Sequence, residues 1–144
     1  MPKVFTSKTQ KIGELGENIA VKFLVKHNFV ILERNYTKKW GELDIIAEKE
    51  EKIYFIEVKS VARETLNDVI HDITTQARKY NNGKYRPEEN MHPRKLQRMS
   101  RAIQTYILSR KNTQGREWQV DLLIIYLDLN NKKAKIKVVE NIIL

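Results

Sequence analysis

Between Gly41 and Lys59 the chain reads GELDIIAEKEEKIYFIEVK, two runs in which apolar residues alternate with charged or β-branched ones around a polar stretch, Glu48 to Lys52. Alternation with period two belongs to strands and the polar interruption suits a turn, so the segment predicts an antiparallel β-hairpin. A loop centred on Glu50 and Glu51 sets Asp44 opposite Glu57, and Glu42 opposite Lys59. Directly opposed Cβ atoms lie roughly 4.5–5.5 Å apart on one side of a sheet, where two carboxylates can share one divalent cation. Lys59, two residues beyond Glu57, points the same way.

Both faces of this hairpin are largely apolar. Ile46, Ile53 and Phe55 fall on the acidic side, and Leu43, Ile45, Tyr54, Ile56 and Val58 on the other. Such strands need helices on both sides. From Thr9 to His27, Ile12, Leu15, Ile19, Ala20, Phe23 and Leu24 recur at three- and four-residue intervals, predicting an amphipathic helix that Asn28 stops. Phe29 to Asn35 reads as a first strand. Leu66, Val69, Ile70, Ile73 and Ala77 predict a helix from about Glu64 to Lys79, followed by the turn-rich loop NNGKYRPEENMH. Pro93 opens a further helix to about Arg110, with Leu96, Met99, Ile103, Tyr106 and Ile107 as its buried stripe. WQVDLLIIYLD is a continuously apolar, central strand, and AKIKVVENIIL a fifth near the edge. The expected architecture is an α/β sandwich with a mixed five-stranded sheet and helices on both faces.

At 144 residues the chain is expected to form one domain, 1–144, with a core that needs no staples. It has no cysteine, which removes disulfides, thiolate catalysis and cysteine-based zinc sites. Lysine and arginine outnumber acids 27 to 18, and the net charge of +9 suits a polyanion such as nucleic acid. No apolar run approaches the roughly 18 residues of a membrane span, and MPKVFTSKTQK lacks the apolar core of a secretion signal. A cytoplasmic protein without a membrane partner is expected. His27, His71 and His92 are too dispersed for a metal site and suit surface or capping roles. Walker, GxGxxG and GxSxG patterns are absent.

Two carboxylates on adjacent strands with a lysine beside them form the minimum set for metal-dependent phosphodiester cleavage. Asp44 and Glu57, with the Val58 carbonyl as a further oxygen, would hold Mg²⁺ or Mn²⁺, and Lys59 would orient water or neutralise charge on the phosphate. The competing account is an ordinary cross-strand salt bridge, and Glu42 opposite Lys59 fits that role as well. Against it stands the apolar setting of Asp44 and Glu57, because facing buried carboxylates require a compensating cation.

GELGENIA (Gly13–Ala20), RNY (Arg34–Tyr36), GELDIIA (Gly41–Ala47), IEVKS (Ile56–Ser60) and VDLLII (Val120–Ile125), taken together and in order, resemble the bacterial YraN-type predicted endonucleases. These are relatives of archaeal Holliday junction resolvases in the PD-(D/E)xK superfamily. The resemblance implies a restriction-endonuclease-like fold and Mg²⁺- or Mn²⁺-dependent cleavage of DNA, with branched or flapped DNA as substrate. It also implies that Asp44 is the metal-binding aspartate and that Glu57 and Lys59 are the acid and lysine of the (D/E)xK element. Glu17 matches the first-helix glutamate of resolvase-like members, and it falls at the border of its helix's apolar stripe beside Gly13 and Leu24.

Two departures stand out. Roughly two dozen extra residues follow Ala62, an insertion at about 62–92, where the family runs quickly into a basic helix. Gln119 and Val120 replace the arginine and aromatic that usually precede the aspartate matched by Asp121. The insertion bears on substrate choice and on homodimerisation.

The Pro93 helix carries Arg94, Lys95, Arg98 and Arg101, a face suited to phosphate contacts that ignore base sequence. Lys95 is favoured because the family pattern has a lysine at the helix start. Lys132, Lys133, Lys135 and Lys137 fit a solubilising role, and Tyr85 and Arg86 a contact with an unpaired base. The rivals to a nuclease are a nucleic-acid-binding module without turnover and a scaffold that docks through its basic surface.

Overall fold

Helix α1 (Lys8–Lys26) begins in a capping box: Ser7 Oγ accepts the Gln10 N–H at 3.1 Å, and the Gln10 side chain accepts the Ser7 N–H. It ends where expected. Asn28 takes the left-handed conformation (φ 69°), its N–H reaching the Val25 carbonyl, while the Phe29 N–H bonds the Leu24 carbonyl at 2.9 Å. That is a Schellman stop, and it points the chain back along the sheet.

The computed structural model describes residues 7–63 and 91–144. After α1 come β1 (Val30–Lys38), β2 (Gly41–Lys49) and β3 (Lys52–Arg63), then α2 (Pro93–Ser109), a short 3-10 turn (Lys111–Thr113), β4 (Trp118–Asp128) and β5 (Lys133–Val139). The strands form one sheet in the order β1-β2-β3-β4-β5, antiparallel throughout except for the parallel β3–β4 pair. The sheet is therefore mixed and five-stranded. The helix expected from Glu64 to Lys79, its following loop, His71, Tyr85 and Arg86 lie outside the described residues, as does most of the 62–92 insertion.

Each face of the sheet has its own core. On the α2 side, Leu43, Ile46, Phe55, Leu122 and Ile124 pack with Met99, Ala102, Ile103 and Tyr106. On the α1 side, Ile45, Ile56, Leu123 and Ile125 pack with Ala20 and Leu24. Leu96 and Ile107 join the α2 core only at its margin. Strand β5 stops at Val139, earlier than the sequence pattern suggested, although the Ile142 N–H still reaches the Val120 carbonyl at 2.8 Å.

Two glycines set how closely the helices approach. A Cβ on Gly16 would lie 1.8 Å from Ser60 Oγ, so α1 rests directly on β3. A Cβ on Gly41 would lie 2.0 Å from the backbone carbonyl oxygen of Arg98, so α2 rests directly on the start of β2.

The hairpin itself forms in the expected register, pairing Lys49 with Lys52 and Ile45 with Ile56. Glu50 and Glu51 both have positive φ, 50° and 65°, the backbone of a two-residue hairpin turn normally given to Asn-Gly. One expectation fails. Leu43 was assigned to the side of Ile45, but it packs in the α2 core with Ile46, so the period-two alternation breaks between Leu43 and Ile45.

Candidate active site

The break falls at Asp44, and so does the end of the β2–β3 ladder. Regular pairing stops at Ile45–Ile56, and one step further the Val58 N–H donates to Asp44 Oδ2 at 2.8 Å instead of to a strand carbonyl. The direct opposition expected for Asp44 with Glu57, and for Glu42 with Lys59, is thus replaced by a fork. The physical reason is that a carboxylate has taken the place of a ladder acceptor. Among the described residues no ion pair joins Glu42 to Lys59, and both are exposed.

Carboxylates lie on both sides of this fork. Glu17, Asp44, Glu42, Asn35, Val58 and Ser60 are among the lining of a cavity of about 590 Å³ on the α1 side. Glu57 is not part of that lining. It is 5% exposed and takes an ion pair from Lys95 of α2. Asp44 links the two sides electrostatically. Burial raises the Glu17 pKa and the Asp44 charge raises it further, against the pull of Arg34. Burial likewise pushes Glu57 up to about 8, helped by Asp44 and opposed by Lys95. For Lys95, burial disfavours the charge, but Glu57, Asp44 and Glu42 outweigh it and hold its pKa above the ordinary value.

The placements of the other named residues follow. Lys59 is exposed beyond Glu57, with no ion pair among the described residues. Lys95 reaches Glu57 from the N-terminal end of α2 with 49% of its side chain still exposed, one and two turns before the buried Met99 and Ala102. Arg94, Arg98 and Arg101 are exposed on the neighbouring stripe. His92 caps α2 by accepting the Arg94 N–H, and His27 caps α1. Asp121 is buried away from the fork, accepting from the Gln119 side chain at 2.8 Å and the Asn141 N–H at 3.2 Å.

Sequence reasoning gave no role to Arg34 and Asn35. Arg34 clamps the first-helix acid, donating to Glu17 Oε1 at 3.2 Å and to Asn18 Oδ1 at 2.8 Å. Asn35 has φ 53° and lines the same cavity. A polar pair inside a strand, the RN of RNY, was the available signal.

The donor chemistry at the fork suits a hard divalent cation. Asp44 and Glu57 bring oxygen ligands whose mutual repulsion a cation would relieve, in place of Lys95. Among the described residues no three acidic or histidine side chains already converge on one point. A cation there would therefore rest on the pair, supplemented by backbone oxygen and water.

Comparison with known proteins places the chain in a family. Among solved structures, Pyrococcus furiosus SfsA in complex with Ca²⁺ overlaps with a TM-score of 0.39 at 15% identity, over 98% of this chain and 74% of that one. UPF0102 proteins of Campylobacter jejuni are 38% identical over 117 residues, 81% of this chain and 85% of theirs. A Campylobacter hominis relative is 33% identical over 135 residues, 94% of this chain and 96% of its own. Residues 16–125, which span Glu17, the fork and β4 as far as Ile125, match the profile of "Uncharacterised protein family UPF0102". The chain therefore belongs to UPF0102, the family of the YraN-type proteins.

Proposed function

We propose that the protein is a metal-dependent nuclease with a restriction-endonuclease-like fold, cleaving DNA phosphodiester bonds with Mg²⁺ or Mn²⁺. The observation that carries this reading is Asp44, set at the point where β2 and β3 separate and acting electrostatically on both Glu57 and Glu17. Neighbouring carboxylates without charge compensation are costly, so the arrangement supports a cation-binding role.

In this reading Asp44, Glu57 and the Val58 carbonyl would hold the ion. The ion, when bound, polarises the phosphate and lowers the pKa of water. Lys59, exposed two residues beyond Glu57, neutralises charge that builds on the phosphate oxygens. Glu17, steadied by Arg34, orients water from the cavity side. Lys95, paired with Glu57, would yield that carboxylate to an ion. Arg94, Arg98 and Arg101 then hold the DNA backbone through salt-sensitive contacts. Branched or flapped substrate rests on the family relationship alone.

One observation favours a second reading. Lys95 already compensates Glu57, as it would in a nucleic-acid-binding module without turnover. Cleavage assays on linear, flapped and four-way-junction DNA with Mg²⁺ or Mn²⁺, alongside Mn²⁺ calorimetry, separate the two. The nuclease reading expects cleavage that Glu57→Ala abolishes. Binding of DNA with no cleavage on any substrate, and no Mn²⁺ uptake, would establish the second.

A further inference from the structure

Trp40 sits at the β1–β2 turn with 43% of its surface exposed. It is also held in place. Its indole Nε1 donates to Thr105 Oγ1 at 2.9 Å, and that hydroxyl in turn donates to the Arg101 carbonyl at 2.9 Å. The next residue, Gly41, abuts the Arg98 carbonyl, so the turn cannot lift away from α2 without separating the two elements. The ring is therefore both exposed and oriented.

The surroundings are cationic. Arg94, Arg98, Arg101 and Thr105 follow one another at four, three and four residues, so a single stripe of α2 runs from its N-terminal end to the hydroxyl that holds Trp40. All three arginines are exposed. Lys38 and Lys39 precede Trp40 in the same turn and are exposed as well, with Lys38 Nζ 5.1 Å from the Tyr36 ring centroid. Trp40 also immediately precedes β2, four residues before Asp44, so at about 3.3 Å per residue its backbone lies within roughly 13 Å of the fork.

We infer that Trp40 is a stacking platform for an unpaired base of nucleic acid, with the Arg94–Arg98–Arg101 stripe and Lys38–Lys39 tracking the backbone on either side. The inference rests on the nuclease reading for its ligand class and deepens it: the preferred substrate carries a single-stranded segment beside the cleavage point. A rigid indole is suited to this, since every base has a face to stack and little side-chain freedom is lost. Duplex DNA keeps its bases stacked on one another and gains only the cationic contacts.

The test uses intrinsic fluorescence in a Trp118→Phe background, where Trp40 is the sole tryptophan. Titration with an oligo(dT) single strand should quench its emission, and a duplex of the same length should quench it far less. Trp40→Ala should weaken oligo(dT) binding roughly tenfold, leave duplex affinity within about twofold and leave the salt slope unchanged. Trp40→Phe should recover most of the loss, which separates stacking from a folding defect. If oligo(dT) binds without quenching Trp40, or if Trp40→Ala weakens both ligands equally, the platform is refuted while the nuclease reading stands. If the parental protein binds neither strand form, the nuclease reading falls and the platform falls with it.

Discussion

The two ends of the β2–β3 hairpin differ sharply. At the turn, every position from Ile45 to Lys49 pairs with its partner between Lys52 and Ile56, and the alternation of apolar residues places each side chain as expected. At the mouth, from Asp44 outward, pairing stops, the alternation slips and a carboxylate accepts a strand N–H. The turn end is held by repetition, whereas the mouth is held by particular side chains: Asp44 on Val58, Lys95 on Glu57, and Arg34 on Glu17. Chemistry requires the second kind of order, because ladder carbonyls and N–H groups that satisfy one another have nothing left for a ligand.

The largest test of this contrast is catalytic. Asp44→Asn keeps an oxygen for the Val58 N–H but removes the charge, so the fork should survive while cleavage falls by about 10²–10³-fold. Lys59→Ala should cause a similar loss of cleavage and change DNA affinity no more than a few-fold. By contrast, replacing Lys95 and Arg98 together should weaken DNA binding and reduce its salt slope by roughly one to two. Parental rates in both single variants would mean that the fork is structural.

Packing gives the next largest effect. Gly41→Ala sets a methyl against the Arg98 backbone, which cannot rotate aside, and should cost about 2–3 kcal/mol in urea unfolding. Gly16→Ala meets the Ser60 side chain, which can turn, and Ala also gains about 1 kcal/mol of helix propensity, so the net loss should be smaller. Ser60→Ala should recover part of it. Equal costs at the two glycines would show that α1 and α2 are not held to the sheet differently.

pH separates the two ends further. The folded-state pKa of Glu57, about 8, lies above its ordinary 4.5, so the fold favours the protonated acid. The associated stability is complete below the ordinary value and is lost as pH rises through about 8. Metal-free protein should melt at a falling temperature across that window, and Glu57→Gln should flatten the curve. An unchanged slope in Glu57→Gln would remove Glu57 as its source. The smallest effect belongs to the turn, where Glu51→Gly relieves a positive φ and should add about 1 kcal/mol of stability without altering DNA binding.

What was legible in the sequence follows the same division. Period-two alternation gave the hairpin register, and three- and four-residue spacing gave α1 and α2 nearly to their ends, because those repeats reflect burial directly. Asn28 marked the stop of α1, and His27 and His92 were caps as anticipated. The fork was not legible, since alternation carries no sign that a carboxylate will replace a carbonyl at Asp44. Lys95 lies at the helix surface as expected, but the sequence shows only its charge and not that its side chain reaches across to Glu57. Arg34 and Asn35 were missed because they act on Glu17, a residue 17 and 18 positions away.

The last strand of the sheet carries a consequence of another kind. Among the described residues β5 pairs with β4 on one side only, leaving a row of backbone donors and acceptors along the other. Lys133, Lys135 and Lys137 recur along it at every second position. A second copy approaching edge to edge would have to bring like charges into register, a repulsion that strand addition cannot relieve. Charge placed at this spacing disfavours the addition of a further strand, whether or not the fork ever meets a phosphate.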